Sequence, residues 1–95
     1  MLTVVRNESE HRYEALLDGA VVGFSKYRLR PGQVVFTHTE IDSAYEGRGF
    51  GGQLAKAALD DVRARGEQVI PVCPFIRAYI DKHPEYADLV GEYTA

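Results

Sequence analysis

Apolar and polar positions change period along the chain, and the change predicts strands in its first half and helices in its second. Arg12–Leu17 is rich in strand-forming side chains and ends at Asp18-Gly19, a pair that favours a two-residue hairpin turn. Residues 20–29 resume the pattern, with Val22, Phe24 and Lys26 alternating against Val21, Ser25 and Tyr27. Arg30-Pro31-Gly32-Gln33 supplies the next turn, with Pro31 pre-set for its second position. Residues 34–41 alternate again. Strands joined by turns this short run antiparallel. The first half is therefore predicted as a meander of three long strands, with residues 2–6 as an added edge strand.

The period lengthens after residue 46. At 100° per residue, Leu54, Ala55, Ala58, Leu59 and Val62 share an arc of about 140°, and Lys56, Asp60 and Arg63 face the other way. Arg65-Gly66 closes this helix with a basic last turn and a glycine stop. Residues 68–72 form a short apolar strand, and Pro71 places it at an edge or beside a gap in the sheet. Pro74 suits a first helical position, which puts Cys73 at an N-cap. Phe75, Ile76, Tyr79 and Ile80 then make the apolar face of a short helix ending near His83-Pro84. Residues 85–95 are expected to be a last helical turn and a frayed tail. Residues 34–72 thus read as a β-α-β crossover. The predicted fold class is α+β: a mixed sheet, antiparallel except for one parallel pair, flanked by helices, in a single domain of residues 1–95.

Composition narrows the function classes. The chain has 95 residues, 45% apolar and 26% charged, which excludes disorder as its main state. Net charge is −3, and residues 1–47 carry five positive and seven negative side chains against six and seven in the remainder. With no basic stripe, nucleic acid is excluded as the main partner. No apolar run approaches the ~20 residues of a membrane helix, and early charges at Arg6, Glu8 and Glu10 break any signal-peptide pattern. A single cysteine makes neither an internal disulfide nor a zinc site, so no metal is expected and a cytoplasmic setting fits.

Glu46-Gly47-Arg48-Gly49-Phe50-Gly51-Gly52 places four glycines in seven positions at a helix entry. Without Cβ atoms the backbone approaches a ligand closely, and the first free N–H groups of the helix point at it. Such a loop holds an anion, most often phosphate. A Walker A loop is excluded, because the chain has no Gly-Lys-Ser or Gly-Lys-Thr. Gly47 to Gly52 satisfies G-x-G-x-x-G, but antiparallel hairpins precede it and Glu67 comes before the second strand, against a dinucleotide fold.

The stretch from Ile41 to Leu54, with Tyr45, Gly47, Gly49, Gly51 and Leu54 in register, resembles the acetyl-coenzyme A signature of the GNAT N-acetyltransferase superfamily. Ile70-Pro71-Val72-Cys73-Pro74-Phe75, Tyr79 and His83-Pro84-Glu85-Tyr86 resemble its short, single-domain branch, so the likeness covers roughly residues 10–90. Glu46 stands where that family has Gln or Arg, and Ser43 replaces its proline. The Glu46 side chain is expected to turn away, with Arg48 offsetting its charge.

The resemblance implies a minimal GNAT-like fold in which the strand ending at Ile41 and the strand before Cys73 splay apart to admit acetyl-coenzyme A. It implies that the cofactor meets Thr39 and Ile41 on the first strand and Glu46, Gly47, Arg48, Gly49, Phe50, Gly51 and Gly52 on the loop. From the second strand and helix come Cys73, Pro74, Phe75, Tyr79 and His83. Cys73, the matching cysteine of the short branch, is a candidate catalytic residue, as an acetyl carrier or as an acid–base group. At a helix N-cap, dipole and free N–H groups favour its thiolate. The alternative is an inert buried cysteine. His38 and Glu40 share one strand face, opposite Thr39 and Ile41, and are candidate bases, with His83 a third; His11 is read as a surface residue. Tyr79 matches a tyrosine near the leaving thiol, or packs with Phe75 and Ile76. The implied activity is acetyl transfer to an amine acceptor by a monomer or homodimer, the acceptor site being shallow or shared across the dimer. The alternative is a non-catalytic coenzyme A-binding or protein-interaction module.

Overall fold

The computed structural model describes residues 1–92. Its elements are β1 (Leu2–Asn7), β2 (Arg12–Leu17), β3 (Ala20–Arg30), β4 (Gln33–Ile41), a 3-10 turn (Ser43–Tyr45), α1 (Phe50–Ala64), β5 (Gln68–Pro71), α2 (Pro74–Lys82) and a 3-10 segment (Pro84–Leu89). The five strands form one sheet in the order β1-β2-β3-β4-β5. Neighbours from β1 to β4 are antiparallel, and β4 and β5 are parallel from Gln33↔Gln68 to Phe36↔Pro71. This is the expected α+β mixed sheet. Asp18 (φ 50°) and Gly19 (φ 88°) both take the left-handed region, which a tight right-twisting hairpin demands.

Two bulges set which side chains face the helices, and neither follows from alternation. Ala15 pairs with Gly23 and Leu16 with Val21, so Val22 is an extra residue in β3. Val22 consequently enters the core with Ser25 and Tyr27, whereas Lys26 is exposed beside His38. The expected grouping of Val22 with Phe24 and Lys26 is thus corrected. Tyr27 pairs with Phe36 and Lys26 with His38, which leaves Thr37 as the extra residue of β4. The phase shift brings Thr39 onto buried Ser25 and packs Ile41 against the core, while His38 and Glu40 face the other way.

The helix α1 buries Leu54, Ala55, Ala58, Leu59 and Val62 on the sheet, as its period predicts. Each of the larger three contributes roughly 2 kcal/mol by leaving water. The apolar face predicted for α2 divides. Ile76 and Ile80 are buried, but Phe75 is 41% exposed and Tyr79 is half-buried, because both lean toward the start of α1. The tail also departs from expectation. The Gly91 N–H donates to the Val69 carbonyl at 3.0 Å and Val90 bridges Val69, so residues 90 and 91 cover the outer edge of β5. The rest of the predicted frayed tail, residues 93–95, lies outside the described residues.

Where β4 is paired on both sides the molecule is closed. The Tyr13, Tyr27 and Phe36 rings lie 5.7–6.4 Å apart. Arg6 sits 5.1 Å from the Tyr27 ring centre and donates to the hydroxyls of Tyr27 and Tyr13 and to Glu67. No helix among the described residues is long and apolar enough to cross a membrane.

Candidate functional site

Pairing of β4 with β5 stops at Phe36, where the Cys73 N–H donates to the Phe36 carbonyl at 2.8 Å. Beyond it, residues 37–41 have no strand partner on that side among the described residues. The cause is local: β5 ends at Pro71, and Cys73 turns at once into α2. A cleft of about 390 Å³ opens there, lined by Thr39 and Ile41 from β4, by Tyr45, Glu46, Gly47, Gly49, Phe50, Gly51 and Gly52 from the loop and α1, and by Phe75 from α2.

The loop keeps its glycines for two physical reasons. Gly49, the N-cap of α1, has φ 76°, a conformation costly to residues with a Cβ. At Gly51 a Cβ would stand 2.8 Å from Phe75 Cζ, so a side chain there would displace the Phe75 ring from the cleft wall. The first helical hydrogen bond runs from Gln53 N–H to the Gly49 carbonyl, leaving the N–H groups of Phe50, Gly51 and Gly52 without a helical partner. No side chain caps them and no acidic residue occupies the first turn. The dipole adds roughly half a positive charge there. A cradle of this chemistry suits a phosphate-bearing ligand.

Nine of the proposed cofactor-binding residues line this cleft: Thr39, Ile41, Glu46, Gly47, Gly49, Phe50, Gly51, Gly52 and Phe75. Glu46 is among them as an exposed residue. Arg48 is not; its guanidinium lies 5.3 Å from the Tyr45 ring centre, a cation–π contact that holds it over the loop. Tyr79 instead borders a neighbouring cavity of about 250 Å³ with Phe75, Ala78 and Lys82, and stacks on His83 with ring centres 4.0 Å apart. Burial pushes the Tyr79 phenol up, with Lys56 opposing. Pro74 opens α2 and lines neither cavity.

Cys73 occupies the predicted N-cap, yet its side chain makes no capping hydrogen bond. The residue is 2% exposed and lies outside the cleft lining, and its thiol meets the Thr39 hydroxyl at 3.3 Å. His38 and Glu40 are paired at 2.9 Å, both exposed, on the side of β4 away from the cleft. Glu40 also lines a second cavity, about 370 Å³, with Arg12, Val21, Val22, Gly23, Phe24 and Asp42. Residues 39–42 therefore alternate between two cavities across a single strand. Gly23 of β3 lets the two strands approach closely at this level, since a Cβ there would stand 2.9 Å from the Glu40 carbonyl oxygen.

Two residues at or behind the cleft lie outside the binding set that the sequence predicts. Tyr45 belongs to the motif but not to that set, and its ring lies 6.2 Å from that of Phe50, which lines the cleft with it. Ser25 gave no signal, because only the β3 register shows that it supports Thr39.

A mixed sheet whose one parallel pair parts over a glycine-lined helix start is the architecture of N-acetyltransferases. The family model described as GCN5-related N-acetyl-transferase matches residues 12–89, and the chain belongs to that family. A GCN5-like protein from Staphylococcus aureus, solved by NMR, superposes with a TM-score of 0.71 at 21% identity, covering 98% of this chain and 91% of its own. The ribosomal-protein-alanine N-acetyltransferase of Brucella melitensis superposes with a TM-score of 0.55 at 19% identity, covering 88% of this chain and 63% of its own. At these identities the likeness concerns the fold. Protein NATD1 of Gallus gallus is 43% identical over 47 residues, 50% of this chain and 43% of that protein. Human protein NATD1 matches at the same identity over 42% of its length, so the match spans less than half of these curated relatives.

Proposed function

We propose that the chain binds acetyl-coenzyme A and transfers its acetyl group to an amine. The observation that carries this reading is the unpaired end of β4 facing the uncapped, glycine-lined start of α1 across one cleft. When bound, acetyl-coenzyme A supplies an activated acetyl thioester. The free N–H groups of Phe50, Gly51 and Gly52 would hold its pyrophosphate, and the edge of β4 with Thr39 would orient its acyl end. Ile41, Tyr45, Phe50 and Phe75 give the cleft an apolar wall that limits water.

The acceptor is assigned to the cavity behind β4. A cationic amine there must lose a proton before it attacks, and the His38–Glu40 pair would take it: Glu40 fixes the imidazole tautomer and His38 accepts the proton. Cys73 acts from behind Thr39 and not as an acetyl carrier, because its sulfur lies outside the cleft lining. The competing reading, a coenzyme A-binding module without catalysis, draws on the exposure of His38 and Glu40.

Calorimetry with acetyl-coenzyme A, followed by thiol release with a panel of primary amines, tests both readings. Binding with turnover supports the enzyme, binding without turnover supports the module, and no binding rejects both. Cys73→Ser is expected to keep turnover within about threefold of native, since a hydroxyl replaces the thiol donor. Loss of turnover in that variant, with an acetyl adduct on the native chain, would show an acetyl-cysteine route.

A further inference from the structure

Three side chains behind the cleft form a chain that polarises one hydroxyl. Ser25 Oγ lies 2.9 Å from Thr39 Oγ1, and Thr39 Oγ1 lies 3.3 Å from Cys73 Sγ. Ser25 is fully buried and Cys73 nearly so, whereas Thr39 lines the cleft. Each group has one hydrogen to give, and a hydroxyl oxygen can accept two. Among the described residues, Thr39 is the side-chain partner of both Ser25 and Cys73.

Those facts point to one direction for the bonds. If Thr39 donated to Ser25, the Ser25 hydrogen would be buried without an acceptor, a costly state. If Thr39 donated to Cys73, the thiol hydrogen would be buried without one. Only when Ser25 and Cys73 both donate to Thr39 does every buried hydrogen have an acceptor. The Thr39 hydrogen is then the one left over, and it belongs to the residue that faces the cleft. Two donors on one oxygen also strengthen its own O–H as a donor, because hydrogen bonds in a chain polarise one another.

We propose that Thr39 presents this hydroxyl hydrogen to the carbonyl oxygen of a bound acetyl thioester, with Ser25 and Cys73 as positioning residues behind it. The proposal rests on the reading of the cleft as an acetyl-coenzyme A site. It gives Thr39 a role as a preformed donor at the oxygen where negative charge develops as an amine attacks. No bond to Thr39, Ser25 or Cys73 forms or breaks in that step.

Two spectroscopic measurements test it without an acceptor. Because the chain has one cysteine, its Raman S–H stretching band reports one bond. In the free native chain the band is expected at the lowered frequency of a donating thiol, rising in Thr39→Val, which keeps the shape but lacks the oxygen, and returning in Thr39→Ser. A native band at the position of a non-donating thiol would overturn the proposed polarity, whatever the chain binds. With acetyl-coenzyme A labelled with carbon-13 at the carbonyl, the infrared C=O stretch is expected at lower frequency on the native chain and on Thr39→Ser than on Thr39→Val. Affinity should fall about fivefold in Thr39→Val. An identical carbonyl frequency on native and Thr39→Val would overturn the donor role while leaving the cleft as the binding site. Absence of binding by the native chain would remove the carbonyl assignment together with the functional reading, and the thiol band would still decide the chain's polarity.

Discussion

The two ends of β4 share one strand and differ in everything packed around them. From Gln33 to Phe36 the strand is bonded on both sides, and Tyr13, Tyr27 and Phe36 fill the space below it around the Arg6 guanidinium. Beyond Phe36 one side is bare, the neighbouring helix begins with glycines, and a 390 Å³ cleft replaces the rings. The switch takes two residues: the extra Thr37 re-phases β4, and Pro71 ends β5 at the same level. Packing is thereby concentrated at one end and the open cleft at the other. A small domain with a modest core has reason to separate the two, since an open cleft removes packing that it cannot recover elsewhere.

The separation is tested most severely at the closed end. Phe36→Ala removes a fully buried ring and is expected to lower stability by about 4 kcal/mol, read from urea denaturation. The folded fraction should still bind acetyl-coenzyme A within about threefold of native, because the ring lies outside the cleft lining. Gly49→Val attacks the open end. A β-branched residue at φ 76° is strained and re-aims the first N–H groups of α1. Affinity for acetyl-coenzyme A is expected to fall at least a hundredfold, about 2.7 kcal/mol by calorimetry, with stability lowered by only about 1 kcal/mol. Equal losses of stability and binding in both variants would show that the two ends are one unit.

A smaller effect distinguishes the ends by pH. Burial raises Asp60 and Asp61, but hydrogen bonds from Lys56 and Tyr86 to the first, and from Tyr13 and Arg65 to the second, outweigh it and leave both carboxyls lowered. A lowered folded value means stability that is complete above the ordinary carboxylate range and lost as pH falls through the folded value. On the alkaline side, burial and then the bond to Asp60 push the Tyr86 phenol up to about 12, and burial with Asp61 raises Tyr13. The Tyr86 stabilisation is complete below the ordinary phenol value near 10 and is lost as pH rises through 12, and that of Tyr13 is lost in the same direction. Urea midpoints should therefore form a plateau from about pH 5 to 9 and fall on both sides. Asp61→Asn should flatten the acid limb, while substitutions at the glycine loop leave it unchanged.

Local rules made much of this legible. The five buried residues of α1 follow from a 3.6-residue period, the first hairpin from Asp18-Gly19, and the parallel crossover from the distance between two strands with a helix between them. The glycine-lined, uncapped start of α1 follows from four glycines at a helix entry. What sequence could not supply was register. The bulges at Val22 and Thr37 depend on which residue of the partner strand lies opposite, and no local pattern encodes that. The divided face of α2 has a similar origin: Phe75 turns from the core toward Gly51 on another helix, and Tyr79 packs partly buried beside Gly52. Cys73 was placed correctly at its N-cap, but whether its thiol faces the cleft depended on Thr39 standing in front.

The central claim is that the unpaired end of β4 and the start of α1 form one binding site for acetyl-coenzyme A. Two-dimensional amide NMR of nitrogen-15-labelled protein, titrated with acetyl-coenzyme A, reads it directly. Large shifts are predicted for Thr39, Ile41, Gly47, Gly49, Phe50, Gly51, Gly52 and Phe75, with Tyr13, Tyr27, Val34 and Val69 at the closed end unmoved. A spectrum unchanged at saturating ligand, or shifts centred on the groove of Leu2, Val4 and Lys56 between β1 and α1, would contradict it.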